Sequence, residues 1–302
     1  MNRFALLIAA LTLSTTAAFA AEGNFEKTLD VHGTPTLTVK TGSGYVHVYS
    51  GSDTQIHIIG RVHVRTGLLG GSAEDKLKQI VSDPPIKQSG NAITIGANHG
   101  DSSLYKDVSI DYEITTPRST ALKAESGSGN LEIGGIVGPI NGETGSGNIT
   151  VENIGANAKL ETGSGSIHAS NVHGSAALET GSGSIDLDMA DSGDVKAETG
   201  SGSIHITGIS GGLRAEAGSG EINVTGRPTS EWHLESGSGS IRAKVGSDAR
   251  FTLNAETGSG SIDIKQPILM QGALKKQHVT GTVNGGGPTL RAETGSGSIE
   301  IR

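Results

Sequence analysis

The chain has 302 residues, with 47 glycines, 3% aromatic residues, no cysteine and a formal net charge of −8. Without cysteine there is no disulfide framework, no thiol nucleophile and no lipid-modified N-terminal cysteine. An acidic balance without a basic cluster argues against nucleic acid and anionic membrane surfaces as partners.

Residues 1–20 read as a cleavable leader. Arg3 precedes an apolar run, and Ala18-Phe-Ala20 fits the small-x-small rule, which places cleavage before Ala21. No later stretch approaches the ~20 apolar residues that span a bilayer, so no transmembrane segment is expected in the mature chain. The expected location is exported: periplasm, outer surface or extracellular.

Residues 21–117 read as an irregular β-rich region that caps the regular coils of the C-terminal part. Segments 37–39, 45–49, 55–59, 61–65, 92–95 and 108–114 alternate apolar with polar residues or carry β-branched side chains, both strand signals. Segment 41–46, Thr-Gly-Ser-Gly-Tyr-Val, is a degenerate copy of a phrase repeated later. One helix is expected over 73–81. Ser72 is its N-cap, Glu74 and Asp75 lie in its first turn, Leu77, Ile80 and Val81 share a face, and Pro84-Pro85 come after it. Terminal repeats of a stack need covering, and this helix suits that role.

Residues 118–302 carry the repeat. Glu-Thr-Gly-Ser-Gly-Ser-Ile occurs at 161–167, 179–185, 198–204, 256–262 and 293–299, and looser copies begin at Glu125, Glu143, Glu216 and Glu235. The first glycines are Gly127, Gly145, Gly163, Gly181, Gly200, Gly218, Gly237, Gly258 and Gly295, stepping by 18, 18, 18, 19, 18, 19, 21 and 37. A period near 18 residues predicts an all-β fold, a parallel β-solenoid of short coils. Ala158, Leu160 and Thr162 share one face of a strand, and Ile167 and Ala169 share one face of the next. From Thr162 to Ile167 is five steps, so both can point inward only if the intervening Gly-Ser-Gly-Ser forms a corner. Glycine is expected there for its tolerance of positive φ. Residues 266–288 read as an irregular coil or excursion, and the last coil, 289–302, is expected to present an unpaired edge unless the excursion covers it.

Stacking turns each repeat position into a column. The outward glutamates are Glu125, Glu143, Glu161, Glu179, Glu198, Glu216, Glu235, Glu256 and Glu293. Two residues before them runs a companion column of Lys123, Asn141, Lys159, Ala177, Lys196, Arg214, His233, Asn254 and Arg291. Solvated ion pairs that offset glutamate repulsion are the expected reading, with a cation-binding stripe as the sharper one. Serines between the two glycines, Ser128 to Ser296, are expected to stack as a hydroxyl ladder. His168, Asp186 and His205 fall on adjacent rungs and are the weak metal candidates. The two imidazoles would lie about 9.6 Å apart, too far for one tetrahedral ion, so no metal site is assigned.

No His-Glu-x-x-His or phosphate-binding Walker loop occurs, and no catalytic residue or cofactor is assigned. The leader, the irregular β region, repeats of the form Thr-Gly-Ser-Gly-x-Ile, and the terminal Asn284-Gly-Gly-Gly-x-x-Leu-x-x-x-Thr-Gly-Ser-Gly-Ser-Ile-x-Ile belong together. They resemble the bacterial DUF4097 "putative adhesin" family of β-strand repeat proteins over residues 25–302. The resemblance implies an exported or cell-envelope protein whose motifs are structural, with no catalytic residues to carry over. Some members are linked to envelope-stress sensing and have a transmembrane helix that this chain lacks. The leading expectation is a non-enzymatic solenoid presenting a repetitive surface to a glycan, an envelope component or a protein. The alternatives are a carbohydrate-active β-helix lyase or hydrolase, and a structural protein assembling end to end.

Overall fold

The structure, a computed structural model, describes residues 19–65, 73–96, 103–270 and 276–302, with the side chains of Phe19 and Ala20 excepted. The leader expectation and the Ser72 cap therefore fall wholly or largely outside the described residues. Each regular coil is two short strands, for example Ala158–Thr162 and Ile167–Val172. Ala158, Leu160, Thr162, Ile167, Ala169 and Val172 are buried, while Lys159 and His168 are exposed. Thr162 and Ile167 thus both face inward, and the Gly-Ser-Gly-Ser segment is the corner that parity demands.

Like positions stack in register. Leu160 lies between Gly142 and Leu178, and Ile167 between Ile149 and Ile185. Two parallel sheets result, a glutamate sheet and an isoleucine sheet, enclosing one core cluster that runs from Phe25 to Ile301. Hydrophobic burial between them is continuous, so each coil is completed by its neighbours.

The corner glycines are required for a different reason from the one expected. None of them has positive φ. A Cβ on Gly163 would instead stand 2.4 Å from the Gly145 carbonyl oxygen, and one on Gly165 1.9 Å from that of Gly147. The coils approach so closely that no side chain fits. Left-handed backbone occurs at the opposite corner, at Asn153, Asn171, Gly135 and Gly174, where Asn171 Nδ2 donates to Asn153 Oδ1 at 2.7 Å.

The hydroxyl ladder also lies elsewhere. Ser128, Ser146, Ser164 and Ser182 are exposed. The inward residue before the first glycine does the bridging. Thr180 Oγ1 donates to the Gly165 carbonyl at 2.7 Å and accepts the Gly183 N–H at 3.1 Å. Thr144, Thr162, Thr199 and Ser236 repeat the arrangement, and Ala217 interrupts it. These bonds satisfy backbone groups that the corner would otherwise leave enclosed without partners. A second ladder lies one residue past the second glycine, where Asn130, Asn148, Ser166 and Ser184 accept the N–H of the next coil.

Chain order and stacking order part at both ends. The last coil is inserted, not terminal. Thr289–Thr294 pairs with 232–236 on one side and 252–257 on the other, and Ile299–Ile301 lies between 241–243 and 262–264. This overturns the expected free edge of the last coil. The 21-residue step from Gly237 to Gly258 crosses two rungs, and the chain's end fills the rung left between. The edge falls instead at Ile262–Ile264, where both isoleucines are only half-buried, whereas their equivalents Ile241 and Ile299 are 0% exposed. The excursion forms Ile268–Met270 and His278–Val283, an antiparallel extension of the glutamate sheet.

The start mirrors the end. Thr36–Thr41 and Val46–Ser50 pair directly with Ala121–Ser126 and Leu131–Gly134, so these N-terminal strands continue the stack. Outside them lie Ala92–Ile95, Val108–Thr116, Gln55–Arg65 and Phe19–Asp30. Segments 55–59 and 61–65 are one strand, with Gly60 leaving room for the ring of Phe25. The helix spans Ala73–Ser82 and packs on Phe19–Asp30 through Leu77, which sits against Gly23.

Candidate functional site

The outward residues of the two sheets give two candidate faces. On the glutamate sheet the order is Glu125, Glu143, Glu161, Glu179, Glu198, Glu216, Glu235, Glu293, Glu256, so Glu293 stands inside Glu256. Its companions pair as expected. Lys159 Nζ is 2.7 Å from Glu161, Lys196 Nζ 2.9 Å from Glu198, and Arg291 Nε 2.5 Å from Glu293. Hydrogen bonds that the lysines donate to Glu161 and Glu198 raise the lysine pKa values above the usual ammonium range. Burial pushes the Glu125 carboxyl up, but hydrogen bonds from Lys123 and Lys40 together outweigh it and hold the group below its ordinary value. Glu143 and Glu179, whose companions are Asn141 and Ala177, have no ion-pair partner among the described residues. A shallow groove of about 860 Å³ runs past Lys40, Glu125, Glu143, Glu161 and Glu179, floored by the corner glycines.

His168, Asp186 and His205 do occupy adjacent rungs, paired in register on the isoleucine sheet, and all three are exposed. No bond joins them among the described residues. Imidazole and carboxylate ligand atoms converge instead on the other sheet, at Glu216, His233 and Glu235.

The richer constellation lies on the outward face of the isoleucine sheet at its N-terminal end. Val46–Ser50 and the residue before it place Tyr45, His47 and Tyr49 in a row, because alternate residues share a face. His47 stands in register with Glu113 on one neighbouring strand and Glu132 on the other. The Tyr45 and His47 rings stack with centroids 4.3 Å apart. Arg61 Nη1 donates to the Tyr45 hydroxyl at 2.7 Å, and that hydroxyl donates to Glu113 at 3.2 Å. Burial, then the bond to Glu113, raises the Tyr45 pKa. Tyr49, 41% exposed, donates to Glu132. Burial first and that bond second push its phenol up to about 12. His63 Nε2 is 3.1 Å from Asp111, and His63 and Arg61 border a cleft of about 480 Å³ with Glu22 and Asn24. Chemically this face offers ring faces, carboxylate acceptors and a guanidinium donor across four neighbouring strands. The strands are legible from alternation, but no repeat relates these residues. Convergence comes from pairing 45–49 with 108–116 and 131–134, which spacing alone does not reveal.

Comparison with curated proteins gives no match. Among solved structures the chain is similar to a "putative adhesin" of Bacteroides fragilis NCTC 9343, at 12% identity over 94% of this chain and 99% of that one, TM-score 0.38. It is also similar to a "putative lipid binding protein" of Parabacteroides distasonis ATCC 8503, at 14% identity over 92% and 96%, TM-score 0.38. A "putative cell adhesion protein" of Clostridium sporogenes ATCC 15579 aligns at 13% identity over 93% and 99%, TM-score 0.27. At these scores the likenesses carry no functional weight. A family model, Toastrack DUF4097, matches residues 8–302. The chain belongs to the DUF4097 (Toastrack) family.

Proposed function

We propose that the chain is an exported, non-enzymatic β-solenoid that binds a glycan of the cell envelope through the outward face of its N-terminal coils. The observation that carries this reading is the row Tyr45, His47, Tyr49 flanked in register by Glu113 and Glu132. Sugar rings present apolar C–H faces to aromatic rings and hydroxyls to carboxylates and guanidinium groups, and this face supplies all three partners. The row is built on a strand of the stack, so it needs little ordering on binding. The remaining coils act as a rigid rod of parallel ladders that holds the face away from the opposite end.

A second reading, a carbohydrate-active enzyme, draws on the same pair of acids. Glu113 and Glu132 flank His47 in register on its two neighbouring strands, and a pair of carboxylates is what glycoside hydrolysis uses. Both carboxylates are engaged, Glu113 by Tyr45 and Arg61, Glu132 by Tyr49 and His47, which favours holding a ligand over proton transfer. A glycan-array screen of the purified chain, with a reducing-end assay on every retained glycan, separates the two. Retention without cleavage is the expected result. Cleavage would make the chain an enzyme, and absence of retention would overturn glycan binding.

A further inference from the structure

We propose that Glu216, His233 and Glu235 form a binding site for a divalent transition-metal ion of the zinc type. The site arises from one departure in the repeat. Of the companion positions beside the glutamates, five are lysine or arginine, whose protonated nitrogens have no lone pair to give. Position 233 is the single histidine.

The geometry suits a small ion. Glu216 and Glu235 are register partners on adjacent coils, and His233 lies two residues before Glu235 on the same face. His233 Nε2 is 3.2 Å from Glu235 Oε2 and 3.8 Å from Glu216 Oε1. Tetrahedral zinc with Zn–N and Zn–O bonds of about 2.0–2.2 Å needs its ligand atoms about 3.4 Å apart, between those two distances. All three ligand atoms lie within 4.8 Å of one another. His233 is held in place by its neighbour Trp232, fully buried, whose Nε1–H donates to the Gly211 carbonyl at 2.9 Å.

Charge permits the ion. Arg214 contacts Glu216 and would have to release it, but Arg214 Nε already stands 3.9 Å from Glu198, which can take it over. Around the site Glu198, Glu216, Glu235 and Glu293 face Lys196, Arg214 and Arg291, so four carboxylates outnumber three fixed cations. Three protein ligands leave the fourth position to water or to an oxygen of a partner.

The test is a calorimetric zinc titration of the purified full chain in a non-coordinating buffer, with the His233 ring nitrogens monitored by NMR. The expected result is one zinc ion per chain, a shift of the His233 Nε2 resonance, and loss of saturable binding in His233→Lys. That variant installs the Lys–Glu pair that coil 158–162 already accommodates, so the fold should persist, as circular dichroism would check. Glu235→Gln is the second variant, expected to weaken binding at least about tenfold. No saturable binding by the wild-type chain, or unchanged stoichiometry and affinity in both variants, would overturn the proposal.

Discussion

At the scale of the residue, the corner hydroxyl shows how a single position holds two coils together. Thr180→Val keeps the shape but leaves the Gly165 carbonyl and Gly183 N–H without that partner, at an expected cost of about 1–3 kcal/mol in denaturant unfolding. Ala217→Thr installs the missing hydroxyl between Gly202 and Gly220 and should gain about 1 kcal/mol. The reverse signs would show that the hydroxyl merely fills space. Tyr112 offers the opposite case. Its ring is fully buried edge-on to Phe25, centroids 6.4 Å apart, and its hydroxyl has no hydrogen-bond partner among the described residues. Burial raises its pKa strongly. Tyr112→Phe should therefore stabilise the fold by about 1 kcal/mol, and a loss of stability would point to an unseen partner for the hydroxyl. Tyr49 links the residue scale to pH. Its folded pKa is raised from 10.0 to about 12, so the stability that its bond to Glu132 contributes is full below pH 10 and is lost as pH rises from there through 12. Near-ultraviolet titration of phenolate should show Tyr49→Phe lacking one tyrosine that titrates at about pH 12 in the wild type. These details were partly legible in the sequence. Parity correctly placed Thr162 inward and Glu161 outward, but it could not distinguish a glycine needed for φ from one needed for close approach, since both occupy the same tight corner.

At the scale of the element, the two terminal coils are placed by pairing and not by chain order. The sequence repeat makes every coil a suitable neighbour for every other, so spacing cannot say which rung a coil occupies. Only the anomalous steps of 21 and 37 residues hint that the order changes after Gly237. The insertion buries Leu290, Ile299 and Ile301 completely, whereas Ile262 and Ile264 at the resulting edge remain half-buried. Removing residues 289–302 should therefore act as an internal deletion. Hydrogen exchange should show protection lost from both 232–245 and 251–264, because each loses its ladder partner. Protection lost from 251–264 alone would mean that the last coil adds little to its inner neighbour. Closing 36–50 onto 121–134 joins strands far apart in sequence, so the N-terminal end carries a large share of the loop-closure cost of folding.

At the scale of the whole molecule, the stack is regular in its middle and irregular at its N-terminal end. The middle coils are nearly uniform, and where the companion is Lys or Arg the outward glutamate is neutralised locally by an exposed ion pair. That uniformity makes the rod easy to read from sequence. The N-terminal face combines strands drawn from 45–49, 55–65, 108–116 and 131–134, and its residues become neighbours only after the chain has folded back. Sequence reasoning could point to that region as less regular, but not to Tyr45, His47, Tyr49, Glu113 and Glu132 as one site.

The most direct measurement is a glycan array run in parallel on the wild-type chain, the double variant Tyr45→Ala/Tyr49→Ala, and the double variant Glu161→Gln/Glu179→Gln. Glycan binding through the N-terminal face predicts that wild type and the glutamate-sheet variant retain the same glycans, while the tyrosine variant loses them at least about tenfold in apparent affinity. Equal retention by the tyrosine variant, or loss confined to the glutamate-sheet variant, would contradict it.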